Sequence, residues 1–169
     1  MLDIGKRLDD ANSPVLSLYR MVISLLFVCH GSVTVLGLFD GTGGGRVSAG
    51  TWPGWWAGLI QLTGGVLVFI GIGDIGTRVA AVVSSGSMAY AYFTVHQKNA
   101  LWPIQNGGEL SVLFCWSFLL IAVVGPGTWT LARLLSKARA GGTPSPSPSA
   151  VPAAAAAAAT AGAASAETP

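Results

Sequence analysis

Apolar residues run along this chain in long blocks, interrupted by short stretches of glycine, proline and charge. The block 55–73 carries no charged side chain and approaches the roughly 20 residues that a helix needs to cross a bilayer core. Similar blocks cover about 15–38, 77–96 and 108–124. The pattern predicts an all-α fold, an integral membrane four-helix transmembrane bundle over 15–127 with these segments as its spans. Ser13-Pro14 reads as the start of the first span, with Ser as N-cap and Pro at the first helical position, where its missing N–H is no loss. Asp74-Ile75-Gly76 is so short a connection that the second and third spans form an antiparallel hairpin. Gly125-Pro126-Gly127 ends the fourth, because Pro cannot extend the hydrogen-bond ladder.

The flanks follow other patterns. Residues 1–14 form an N-terminal segment in which Leu2, Ile4 and Leu8 stand against Lys6, Arg7, Asp9 and Asp10, as in a short interfacial helix. Residues 128–140 read as an interfacial amphipathic basic helix, with Leu131, Leu134 and Leu135 against Arg133 and Lys137. Residues 141–169 are rich in Ala, Pro and Ser and are expected to be a disordered tail. Between the first two spans lies a glycine-rich stretch with Gly41, Gly43, Gly44, Gly45 and Gly50. It lacks the Gly-Lys-Ser/Thr of a phosphate loop, so an external loop is the better reading. Trp52, Trp55 and Trp56 stand where the chain re-enters the apolar phase, as an aromatic belt would.

Within the spans, helical spacing sets small and polar residues on shared faces. Gly58, Gln61, Gly64 and Gly65 line one face of the second span. In the third, Ala81, Ser85 and Ala89 repeat every four residues, as do Ser84, Met88, Tyr92 and His96. Small residues allow close helix approach, and a polar group in lipid needs a partner.

Composition narrows the class. The chain is 51% hydrophobic and 9% charged, with a mean hydropathy of +0.61. Soluble domains carry about 25% charged residues. A net charge of +2 with no basic recognition motif gives no reason to expect nucleic acid as a partner. Cys29 and Cys115 lie inside apolar blocks, without Cys-x-x-Cys or zinc spacing. The N-terminus carries Asp3, Asp9 and Asp10 ahead of its apolar block, so it reads as a retained span rather than a signal peptide. Lys6, Arg7, Arg20, Arg78, Arg133, Lys137 and Arg139 fall on one side of the expected topology, Arg46 and Lys98 on the other. The positive-inside rule then places both termini on the cytoplasmic side of the membrane.

Polar residues inside the spans are the candidate chemistry, because an ionisable group at the bilayer centre costs about 2.5–3.5 kcal/mol or more. Helical rise puts His30 about 12 Å and Gln61 roughly 9 Å below the outer surface. His96 and Glu109 lie near that surface, so His30, Gln61, His96 and Glu109 form the candidate ligand-binding or proton-handling set. Arg20 and Arg78 form an inner-face basic pair that could reach for lipid phosphates. Each has a structural reading beside the functional one. His30 serves equally as a neutral core histidine, His96 as an interfacial cap, Gln61 as an interhelical clamp, and Glu109 as part of a capping box with Asn106. A bis-histidine haem needs both rings at one depth, whereas His30 and His96 are offset by about 12 Å. No metal site is expected. Trp116, placed mid-span, has an indole N–H that needs an acceptor, and its structural reading is core packing.

One ordered set of residues brings a family into view. It runs Arg20 and His30-Gly31, then Gln61-x-x-Gly64-Gly65, then Gly76-Thr77-Arg78-x-Ala80-Ala81. His96, Gly108-Glu109-Leu110 and Gly125-Pro126-Gly127 complete it. The chain, over roughly 15–130, resembles the DoxX family of small four-helix bacterial membrane proteins. That family commonly has Glu where Gln61 stands, and Gln cannot ionise, so a proton-carrying role is not transferred to this position. The resemblance implies redox association, since relatives include a membrane subunit of a thiosulfate:quinone oxidoreductase and proteins tied to oxidative or thiol stress. On this reading a quinone would lie near His30, Gln61, His96 and Glu109, under a lid of Trp52, Trp55, Trp56 and Trp102. Expected partners are the lipid bilayer, with redox proteins or a second copy of the chain as further candidates. Two classes stay open: a membrane subunit of a redox-linked assembly handling quinone or thiol/sulfur chemistry, and a non-enzymatic membrane scaffold or adaptor whose polar residues only fasten helices. The residues do not decide whether the chain is itself an enzyme.

Overall fold

The computed structural model describes residues 4–39 and 45–141, and all of its regular structure is helical. In chain order the elements are α1 (Ile4–Leu36), α2 (Gly54–Ile70) and α3 (Asp74–Ala91), which continues into a π-helical turn (Tyr92–His96). Then come α4 (Pro103–Asn106), α5 (Glu109–Val124) and α6 (Leu131–Gly141). The chain divides into two units after Lys137, and of the second only Ala138–Gly141, the end of α6, is described. The expected disordered tail otherwise lies outside the described residues.

Helix α1 lies along α2, α2 along α3 and α3 along α5, with a narrower front between α1 and α5. Glycine makes the first of these contacts close. A Cβ on Gly31 would stand 2.4 Å from the Leu62 amide nitrogen and 2.8 Å from the Gly58 carbonyl. No side chain fits there, so the α1 and α2 backbones touch. The face expected on α2 is divided between two neighbours. Gly58 and Gly65 meet Thr34 and Val28 of α1, while Gly64 meets Ser84 of α3. The buried centre is aromatic: Phe27 packs against Phe114 and Phe118 with ring centroids 5.0 and 4.5 Å apart.

Several boundaries differ from the sequence expectation. The first helix does not start at Ser13-Pro14; it begins at Ile4 and runs through Pro14. The missing N–H leaves one carbonyl without its ladder bond. Beside this turn the loop glycine Gly127 lies so close that a Cβ there would stand 2.8 Å from the Ser13 carbonyl. Ser17 Oγ also donates to that carbonyl at 2.9 Å. At its far end, α1 stops at Leu36, where Gly37 turns left-handed with φ 72°. Helix α3 begins at Asp74 rather than Thr77, which leaves only 71–73 between α2 and α3. Trp116 is 66% exposed on α5, not part of the core.

Among the described residues, the segment Ser13–Leu36 is the one helix both long and apolar enough to cross a membrane. Helices α2 and α5 are apolar but run 17 and 16 residues, about 25 Å at helical rise. Helix α3 carries Asp74, Arg78 and the serines Ser84, Ser85 and Ser87. The outward faces are nonetheless rich in large apolar side chains, among them Leu18, Val22, Leu25, Val79, Val82, Leu113 and Val123.

Candidate functional site

Arg20 is wholly buried. Its Nε donates to the Pro126 carbonyl at 2.9 Å, Nη1 to those of Val68 and Phe69, and Nη2 to that of Trp129. Two of these carbonyls belong to the last turn of α2, where helical C=O groups have no intrahelical partner and the helix dipole is negative. Arg78 does the same for α5. Its Nη1 donates to the carbonyls of Ala122 and Val123 at 2.6 and 2.7 Å, while Nε pairs with the Asp74 carboxylate at 3.1 Å. Arg20 therefore does not reach for lipid phosphate. Its planar fork of donors is occupied by backbone, an arrangement a lysine could not match.

A different chemistry stands at the opposite ends of α2 and α3. A cavity of about 390 Å³ opens there between the start of α2, the end of α3 and the loop before α2. Its aromatic wall is Trp52, Trp56 and Tyr90, with the Trp52 and Tyr90 rings edge to face at 5.9 Å. Its polar groups are Thr34, Gln61, Ser87, His96 and Ser111. Gln61 lines it from α2, and among the described residues its one side-chain partner is the Met88 sulfur, with Nε2 to Sδ at 4.0 Å. That contact is at the outer limit even for sulfur, so the amide keeps nearly all its hydrogen-bonding capacity.

The π turn sets His96. Gln97 N–H bonds to the Tyr92 carbonyl at 2.9 Å, an i→i+5 closure that breaks the strict four-residue stripe from Ser84 to His96. Such turns recur at functional sites. His96 Nδ1 lies 3.2 Å from the Asn106 carbonyl. A carbonyl only accepts, so Nδ1 carries a proton and Nε2 is the ring nitrogen left for a ligand. Asn106 is itself fixed: its Nδ2 donates to the Ala100 carbonyl at 2.9 Å and its Oδ1 accepts the Gly108 N–H at 2.8 Å. Gly108 is required here, because a Cβ would stand 2.9 Å from His96 Cβ. Asn106 is thus not the N-cap of α5, a place taken by Gly108. The expected capping box does not form.

The four outer polar candidates do not share one wall. Gln61 and His96 line the cavity; His30 and Glu109 do not. His30 is half-buried on α1, its ring edge-on to Phe114 with centroids 5.7 Å apart. Glu109 is exposed at the first position of α5. Of the expected lid, Trp52 and Trp56 line the cavity and Trp55 packs on Trp56 at 5.1 Å, while Trp102 is 62% exposed elsewhere. Tyr90, Ser87 and Ser111 escaped the sequence reading. Ser87 and Tyr90 stand three residues apart on α3 and so share a face, a spacing that could have found them together. Cys29 and Cys115 are free thiols, and Cys115 Sγ lies 3.5 Å from Ser85 Oγ. Among the described residues no group of three His, Cys, Asp or Glu side chains stands together as a metal site would require.

Comparison with known proteins adds the following. The family model described as DoxX matches residues 15–97. A protein of Haemophilus influenzae, described only as uncharacterized, is 35% identical over 119 residues, covering 69% of this chain and 87% of that one. No solved structure matches the chain.

Proposed function

Since this chain belongs to the DoxX family, whose members are generally membrane proteins, we propose that it is an integral inner-membrane four-helix bundle serving as a subunit of a redox-linked assembly. The cavity walled by Trp52, Trp56 and Tyr90 is the observation that carries this reading. Its size falls in the range of small-molecule sites, roughly 300–1,000 Å³, and its mix of apolar walls with a few polar groups is typical of them. A quinone fits this set: a flat apolar ring against the aromatic wall, and carbonyl oxygens within reach of an amide and hydroxyl donors. When bound, a quinone supplies two-electron, two-proton chemistry. The chain would hold and orient it. The Gln61 amide and the Ser87 and Ser111 hydroxyls can donate to an oxygen, and His96 can accept a proton at Nε2 while Asn106 fixes the ring. Because Gln61 cannot ionise, proton handling in this cavity falls to His96.

The test is gentle purification of the full chain, extraction of bound quinone, and membrane redox flux with His96→Ala and Gln61→Leu variants. Quinone content and flux should fall while the melting temperature holds. Purified protein without quinone, together with unaltered flux in His96→Ala membranes, would end the proposal.

The scaffold reading has its own support in Arg20, Arg78 and Gly31, whose placement fastens helices and leaves no chemistry free. If His96→Ala lowers stability and leaves quinone content and flux unchanged, that reading takes over.

A further inference from the structure

A second concavity lies at the arginine end, away from the proposed quinone cavity. It is a groove of about 910 Å³ bounded by the 13–19 stretch of α1, the start of α3, the end of α5 and the start of α6. Its walls are of two kinds. Val15, Leu16, Leu120 and Val124 make it apolar, and Val15 and Val124 are 60% and 54% exposed. Ser13, Tyr19, Asp74, Arg78, Thr130 and Arg133 make its rim polar, with Asp74 the one carboxylate among them and already paired to Arg78.

The rim is electrically unbalanced. Arg78 is matched by Asp74 and occupied by α5 carbonyls. Arg133 has no such match: its backbone N–H is held by Thr130 Oγ1 at 3.3 Å, yet its guanidinium has no hydrogen bond or ion pair among the described residues. The Tyr19 hydroxyl likewise has no hydrogen-bond partner among them. Lys137 follows Arg133 by one helical turn on α6. A small anion would leave the apolar walls wet, and an apolar molecule would leave the guanidinium unmatched. An amphiphile with a negative head satisfies both surfaces. We propose that this groove binds one anionic phospholipid, its phosphate on Arg133 and the Tyr19 hydroxyl, its acyl chains along Val15, Leu16, Leu120 and Val124. Basic pockets of this kind on the cytoplasmic side of membrane proteins are suited to anionic headgroups. The inference rests on the membrane part of the reading above and is independent of the quinone cavity.

Native mass spectrometry of the full chain in mild detergent tests it, with titration by phosphatidylglycerol, phosphatidylcholine or inorganic phosphate. One phosphatidylglycerol should be retained where phosphatidylcholine is lost. Arg133→Ala should weaken that retention about fivefold, the effect of one basic residue near an anionic surface, and Arg133→Glu should weaken it further. Neither change should move the melting temperature, because the side chain is exposed and unpaired. Val15→Trp, which fills the apolar wall, should reduce retention of phosphatidylglycerol. His96→Ala should leave lipid retention intact. Equal retention of the two lipids, or an Arg133→Glu protein that binds like the parent, overturns the site. Displacement of phosphatidylglycerol by inorganic phosphate at equal concentration overturns it in favour of a small-anion site. Sedimentation with membranes is read separately: a chain that does not sediment refutes the membrane reading, whereas one that sediments without lipid preference refutes only the groove.

Discussion

At one end of the long helices two arginines bind backbone; at the other, Gln61 and His96 face a cavity. Both regions put polar groups among apolar helices, and both resemble functional sites when read as sequence. They differ in what is left over. Arg20 presents its guanidinium to the carbonyls of Val68, Phe69, Pro126 and Trp129 and is wholly buried. Gln61 has one weak sulfur contact, and His96 has one ring nitrogen engaged. A polar side chain whose donors are all matched by backbone holds a fold together. One that keeps capacity beside a cavity can hold a ligand. The pattern at the arginine end also repeats: α1 caps α2 through Arg20, and α3 caps α5 through Arg78, so each hairpin is closed by an arginine from its first helix.

The strongest way to break this comparison is Arg20→Met. The change keeps length and removes every donor, leaving buried carbonyls unmet at about 1–3 kcal/mol each before relaxation. A loss on the order of 4 kcal/mol is expected, read as a large fall in melting temperature or in folded yield. An Arg20→Met protein that melts like the parent would show that the carbonyls find other partners. Next in size is Gly31→Ala. Its Cβ would sit 2.4 Å from the Leu62 nitrogen, and backbone cannot rotate away as a side chain can. Separating α1 from α2 should cost about 2 kcal/mol, measured by thermal unfolding in detergent. The same substitution at Gly86, where nothing stands within 4 Å of the added Cβ, should be neutral or slightly stabilising.

The two regions were unequally legible in the sequence. Apart from the start of α1, apolar blocks and their punctuation locate the long helices to within a few residues, because glycines such as Gly71 and Gly125 terminate helices by local conformation. Helical spacing found the packing glycines for the same reason. It did not show that Gly58 and Gly65 face one neighbour and Gly64 another, since spacing defines a face and not what covers it. Pro14 misled because its local signal is that of a helix start, whereas α1 continues on both sides of it. The roles of Arg20 and Arg78 were hidden too. Apart from the Asp74 carboxylate beside Arg78, their partners are main-chain carbonyls, which have no residue type to read. His96 was placed by periodicity, but its register depends on a π turn that leaves no pattern.

A sharper test exchanges the cavity's polar groups for apolar ones. Gln61→Leu removes hydrogen-bonding capacity that the protein itself hardly uses and should change stability by less than about 1 kcal/mol, while His96→Phe also gives up the bond to the Asn106 carbonyl and should cost about 1 kcal/mol. Bound quinone should fall in both. Should either variant instead lose as much stability as Arg20→Met, the cavity end would be structural in the same sense as the arginine end, and the contrast between them would collapse.

The smallest effect is expected at Asp74, where the two arginines can be told apart. Asp74 pairs with Arg78 at 3.1 Å, four residues on in the same helix, with its side chain 64% exposed. Exposed pairs at this spacing contribute roughly 0.3–0.5 kcal/mol, and an acid in the first turn adds a little through the helix dipole. Asp74→Asn should therefore cost on the order of 0.5 kcal/mol, and less at high salt, because exposed charges are screened. Arg78→Met should cost about 2 kcal/mol and respond little to salt, since its main loss is the bonds to the Ala122 and Val123 carbonyls. If the two substitutions proved equal in size and equally salt-sensitive, Arg78 would be a surface ion-pair partner, and the capping role would belong to Arg20 alone.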